Sequence, residues 1–144
     1  MYLLGKRIKS PNMSGFSIIK IDKQSIEIAS AGMPPVYIYY ASENRTEEIL
    51  IGGLPLGAMP AFSYQTEIKD LHPGDTLLML TDGLAEQQNR EDRLYGYDRI
   101  RDLFTSNADK PAEKIIDILI GDVTSWQGDR PQEDDISLLV LKAK

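Results

Sequence analysis

Three aspartates stand where strand-like runs meet turns, and their type and placement suit ligation of a hard cation. Asp82 follows residues 76–81, a run that is apolar except for a threonine at each end. Asp134 and Asp135 immediately precede a second run, residues 136–141, Ile-Ser-Leu-Leu-Val-Leu. Short, uninterrupted apolar runs between turn signals read as strands buried on both faces. Asp82 is then expected at the last position of its strand, with Gly83 letting the chain turn sharply away. If the two strands are antiparallel neighbours, the end of one lies beside the start of the other, and the acids meet at one edge of the sheet. Clustered carboxylates repel one another, so such a cluster implies a cation, and oxygen-only ligands favour Mg²⁺, Mn²⁺ or Ca²⁺. Either motif alone fits an ordinary turn equally well. The pairing of the two carries the argument.

The elements that must hold these acids are legible in outline. Residues 1–10 read as the end of a helix and 10–12 as a loop. Strands are expected at 16–21 and 25–30, joined by a hairpin-length connection at 22–24. In the second, Ile26, Ile28 and Ser30 share one face, so a half-exposed strand is expected. Ala31-Gly32-Met33-Pro34-Pro35 breaks the pattern, because two prolines cannot sit within a ladder. A third strand, 36–41, is rich in β-formers, and a fourth is expected over 46–51. The passage 52–60 is too broken by glycine and proline for regular structure and reads as a crossover. As a phosphate-cradling loop it is weak, since no Lys-Ser/Thr follows. Residues 62–71 alternate and predict a strand with one wet face; 84–95 reads as a solvated polar loop leaving the proposed site. Helices are expected over 97–104 and 111–126, the second carrying an apolar stripe of Ile115, Ile116, Leu119, Val123 and Trp126. Several strands, two helices and one returning strand indicate an α+β fold with mainly antiparallel sheet.

Composition narrows the chemistry. The 144 residues suffice for one domain with a real core. A net charge of −6 without a basic tract argues against nucleic acid as partner. The absence of cysteine excludes disulfides and thiolate metal sites. The lone histidine, His72, lies in a Pro-Gly turn and is expected to be solvated. No apolar run approaches the roughly 20 residues of a membrane span, and the N-terminus lacks the charge order of a signal peptide, so a cytoplasmic protein is expected.

Five short motifs in order resemble a known family. Ala31-Gly32-Met33-Pro34-Pro35, Gly53-Leu54-Pro55-Leu56-Gly57, Pro73-Gly74-Asp75 with Thr81-Asp82-Gly83-Leu84, Leu94-Tyr95-Gly96, and Asp134-Asp135-Ile136-Ser137-Leu138-Leu139-Val140 together look like the PPM metal-dependent serine/threonine phosphatases, in their bacterial SpoIIE/RsbU-like branch. The resemblance covers about residues 15–142 of a single, partial domain spanning 1–144. It implies an antiparallel β-sandwich flanked by helices and a binuclear Mn²⁺ or Mg²⁺ centre. It implies hydrolysis of phosphoserine or phosphothreonine on a phosphoprotein, often a regulator of a sigma-factor cascade. Asp82 and Asp134 match the catalytic acids, and the metal set is Asp82, Gly83, Asp134 and Asp135. Two departures stand out. Met33 occupies a position where the branch commonly has histidine. Residues 1–35 supply neither the Asp-rich motif nor the Asp-x-x-Gly motif that bring the remaining ligands. The expectation is therefore a piece of a phosphatase that is inactive alone and holds at most one weakly bound ion, or else a non-catalytic phosphatase-like module that binds a partner protein. Strands missing from a sandwich would leave an open sheet edge, so a homo-oligomer through that edge is also expected.

Overall fold

The computed structural model describes the backbone of residues 2–7 and 13–144 and the side chains of 13–144. β1 (Tyr2–Arg7) pairs antiparallel with β2 (Ser14–Asp22), which turns through Lys23 and Gln24 into β3 (Ser25–Ala31). The helix end expected over 1–10 is thus a strand at 2–7; six residues give too short a window for a period to show. The loop expected at 10–12 lies outside the described residues. β3 behaves as its alternation requires, with Ile26, Ile28 and Ser30 buried and Ser25, Glu27 and Ala29 half-exposed.

β4 (Val36–Tyr40) and β5 (Arg45–Ile49) form a second hairpin. The crossover that follows is irregular, but its backbone is anchored. Leu56 exchanges both backbone bonds with Ser14, at 3.0 and 2.8 Å, and Gly32 N–H donates to the Gly53 carbonyl at 3.1 Å. Gly32 has φ +64°, and a Cβ there would lie 2.7 Å from Pro55 Cγ, so two of the glycine-bearing motifs meet in one contact.

β6 (Thr66–Asp70) is shorter than the alternation over 62–71 implies, and Ile68 on it is 65% exposed. The expected strand with one buried face is therefore corrected. The half-buried Phe62 and Tyr64 pack edge-to-face on each other, with centroids 4.9 Å apart, and Tyr64 lies against Gly53. Their alternation serves that contact and no strand pairing.

β7 (Thr76–Leu80) is buried at every position. Its chain then enters α1 (Asp82–Glu86), followed by α2 (Tyr97–Thr105), α3 (Ala112–Gln127) and β8 (Leu138–Lys142). The strands form two antiparallel four-stranded sheets, ordered β1-β2-β3-β6 and β5-β4-β7-β8. Ile38, Leu77 and Met79 of the second sheet face Ile19, Ile26 and Ile28 of the first. Tyr37, Leu78 and Leu80 face the other way, against Ile100, Phe104, Ile115, Leu119 and Val123 of α2 and α3. Sandwiched between a sheet and a helical layer, β7 has no wet face, which explains its unbroken apolar run.

Asp75 fixes the approach to β7. Its buried carboxylate accepts the backbone N–H of Ala41 and of His72, each at 2.8 Å, and its carbonyl accepts Ala143 N–H at 2.9 Å. The turn before β7 is thereby tied to the ends of β4 and β8. His72 itself is exposed, as its turn position implies. On the far side, Arg99 of α2 forks onto Asp122 of α3 at 2.7 and 3.0 Å and lies over the Trp126 ring, 4.8 Å from its centroid. No helix among the described residues is long and apolar enough to cross a membrane.

Candidate active site

β7 and β8 are antiparallel neighbours with Leu80 opposite Leu138, so the end of one strand does lie beside the approach to the other. Past that pair the ladder continues by one residue of mixed character. Thr81 N–H donates to Ser137 O at 3.1 Å, Ser137 N–H donates to Thr81 Oγ1 at 2.9 Å, and Thr81 Oγ1 donates to Asp135 O at 3.0 Å.

Asp82 is not the last residue of the strand. It is the first of α1, with Thr81 at the N-cap in extended conformation, φ −87° and ψ 158°. Asp82 is half-buried, and a carboxylate in the first turn suits the positive end of the helix. Gly83 is likewise helical, so the reason for glycine is not a sharp turn. A Cβ there would lie 2.5 Å from Asp135 O and 3.4 Å from Asp134 C. The backbone of Asp134 and Asp135 passes directly over Gly83, and only glycine permits that approach.

The solvated loop expected over 84–95 is also corrected. Leu84 and Ala85 lie within α1 and in the core, and Gln87 and Tyr95 are buried. The stretch from Arg90 to Leu94 is exposed, as is Glu86, and the loop is tethered. Arg130, reaching from the segment before Asp134, donates to the Asn89 carbonyl at 3.0 Å and pairs with Asp92, Gln88 Oε1 and Glu133.

Asp134 is half-buried and its Oδ1 accepts the N–H of Asp135, at 2.8 Å, while Asp135 is exposed. The two principal acids line different hollows. Asp134 lines a cleft of about 280 Å³ with Gly83, Gln88, Leu94 and Glu133. Asp82 lines one of about 380 Å³ with Met33, Pro34, Glu48 and Tyr97. Glu86 borders both. It lies four residues after Asp82, hence on the same helix face, a signal that becomes readable only once residues 82–86 are known to be helical.

Residues 14–144 match the family model described as stage II sporulation protein E (SpoIIE). The chain belongs to the SpoIIE family. Its relatives include the phosphoserine phosphatase RsbU of Bacillus subtilis, 26% identical over 124 residues, and protein IcfG of Synechocystis, 25% identical over 126. The match takes in 86% of this chain and 36% of RsbU, and 88% of this chain and 20% of IcfG, so the chain spans well under half of either relative.

Solved structures agree on the fold. The SiaA PP2C domain of Pseudomonas aeruginosa superposes with TM-score 0.81 at 21% identity, over 92% of this chain and 52% of that one. The Mn-presoaked phosphatase domain of SpoIIE from Bacillus subtilis gives 0.69 at 19% identity, over 89% of this chain and 56% of that one. The antiparallel sandwich with helices is therefore that of PP2C phosphatase domains.

The SpoIIE-family centre is metal-dependent, and the residues present fit part of one. Every donor at α1 and the 134–135 segment is oxygen, which suits Mn²⁺ or Mg²⁺. The number falls short: among the described residues, no group of three or more His, Cys, Asp or Glu gathers at metal-holding distance. The two segments converge in their backbones, and their carboxylates do not form a cluster of three. Met33, 8% exposed beside Asp82, adds no oxygen.

Proposed function

We propose that this chain carries the Asp-Gly and Asp-Asp portion of a PPM-type protein serine/threonine phosphatase centre. In a complete domain, that centre hydrolyses phosphoserine or phosphothreonine on a signalling protein such as a sigma-factor regulator. The observation that carries the reading is the convergence of residues 81–83 on 134–137, with glycine where the two backbones touch. In it, Asp82 and Asp134 are the catalytic acids, and Asp82, Asp134, Asp135 and the Gly83 carbonyl are metal ligands. A bound divalent ion would supply charge for the phosphoryl oxygens and a water of lowered pKa. The protein's own share is to hold negative charge at two fixed points and to keep Gly83 free of a side chain.

Because the donors fall short of two near-octahedral shells, the chain by itself is proposed to bind at most one weakly held ion and to release negligible phosphate from a phosphopeptide. That shortfall also favours the second reading, a phosphatase-like module that binds a partner protein without turnover. A cytoplasmic setting belongs to either reading. So does self-association through an open sheet edge. Of the edge strands with described side chains, β5 carries Arg45, Glu47 and Glu48 and β6 carries Glu67, Lys69 and Asp70, whereas β8 has no charge before Lys142. Charged edges resist added strands, so β8 is the edge assigned to association.

The test is Mn²⁺ calorimetry and phosphopeptide hydrolysis at millimolar Mn²⁺, for the wild type and for Asp82→Asn and Asp134→Asn. One weak site lost in both variants, with no turnover, is expected. Two tight sites per chain, or robust phosphate release abolished by Asp82→Asn, would overturn the claim of inactivity. Near-normal binding in both variants would show that the centre lies elsewhere.

A further inference from the structure

We propose that Thr81 is the positioning residue of this centre, its hydroxyl serving as the clamp that fixes Asp82 against the Asp134–Asp135 segment. The inference rests on the proposed centre for its purpose and on geometry alone for the clamp. Thr81 occupies the N-cap of α1, where a threonine hydroxyl ordinarily accepts a bond from the first turn of its own helix. Here it makes no such bond. It donates to Asp135 O at 3.0 Å and accepts from Ser137 N–H at 2.9 Å, partners 54 and 56 residues away. The helix start is left uncapped so that one hydroxyl can serve as donor to one residue and acceptor from another on the opposing segment.

The position makes the clamp effective. Thr81 is 3% exposed, so its hydroxyl is shielded from bulk water and depends on these two partners. It sits immediately before Asp82, and its partners bracket Ile136 immediately after Asp135. Any shift of the 134–137 segment along β7 must break both bonds and the backbone bond from Thr81 N–H to Ser137 O. The β7–β8 ladder sets the register as far as Leu80 and Leu138, and past it the Thr81 side chain extends the hold to the acidic segments. Valine, of nearly the same shape, would leave the Ser137 N–H and the Asp135 carbonyl without these partners. Serine would keep both bonds.

The experiment follows amide hydrogen exchange of Ser137, and Mn²⁺ affinity, in the whole chain with Thr81→Val and Thr81→Ser. Thr81→Val is expected to speed exchange at Ser137 at least tenfold more than at Leu119 in α3, and to weaken Asp82-dependent Mn²⁺ binding severalfold. Thr81→Ser is expected to stay within about threefold of wild type in both; a tenfold change corresponds to about 1.4 kcal/mol. Unchanged Ser137 exchange in Thr81→Val overturns the clamp. Should Thr81→Val fail to fold, Thr81→Ser still decides, because a tenfold loss there would mean that the methyl group and not the hydroxyl holds the segment. If the wild type shows no Asp82-dependent Mn²⁺ binding, the proposed centre fails while the exchange data judge the clamp on their own.

Discussion

Replacing Gly83 with alanine tests whether the two acidic segments are packed together as tightly as the structure shows. The added Cβ would lie 2.5 Å from Asp135 O, 3.1 Å from Asp135 C and 3.4 Å from Asp134 C. All three are backbone atoms, so no rotamer change relieves the clash, and the segment is held in place by the bonds from Thr81. Overpacking of this kind costs about 1–3 kcal/mol. Alanine is the better helix former by up to about 1 kcal/mol, which offsets part of the loss. The net expectation is destabilisation by about 1–2 kcal/mol. Gly121, within α3, provides the internal control, because a Cβ there meets nothing within 4 Å. Gly121→Ala should stabilise by roughly 0.5–1 kcal/mol from propensity alone. The pair therefore separates by about 1.5–3 kcal/mol, with opposite signs about the wild type. Urea denaturation of all three proteins, at one fixed concentration and with m-values checked for equality, reads the difference directly. Gly83→Ala at or above wild-type stability would refute the close approach.

Two further outcomes follow from charge and from the open edge. The hydrogen bonds from Arg99, and then from Tyr95, hold the Asp122 carboxyl below its ordinary value of 3.8. A depressed carboxyl stabilises the fold above its unfolded value, and that contribution vanishes as pH falls through the folded one. The stability difference between wild type and Asp122→Asn should therefore be full well above the ordinary carboxyl value of 3.8 and shrink as pH falls below it, as measured by denaturation across the acid range. Sedimentation at high concentration should show a dimer or larger species, formed through β8; a strictly monomeric profile would count against that edge.

What the sequence disclosed depended on the range of the interactions involved. The run that became β7 was readable because burial between two layers leaves no charged position in it, whereas β8, expected to be buried on both faces, is half-buried throughout as an edge strand and ends in Lys142. The stripe on α3 was readable because Ile115, Leu119 and Val123 all meet the same sheet. α1 was hidden, since five residues carry barely more than one turn and its sequence, Asp-Gly-Leu-Ala-Glu, contains the glycine that propensity would reject. With α1 hidden, the placement of Asp82, the helical state of Gly83 and the approach of Glu86 to the site were hidden too. The partners of Thr81 lie more than fifty residues away, so nothing local distinguishes its hydroxyl from that of any threonine ending a strand.

The helical state of residues 82–86 also changes what completing the centre would require. Had Asp82 ended a strand beside Asp134, the two carboxylates would share one hollow and a single added ligand could join them. In the structure Asp82 lines a hollow with Met33 and Glu48, and Asp134 a different one with Gln88 and Glu133. A donor set joining the two acids of the proposed centre must span both clefts, and Glu86, which borders both, is the residue of α1 placed to do so.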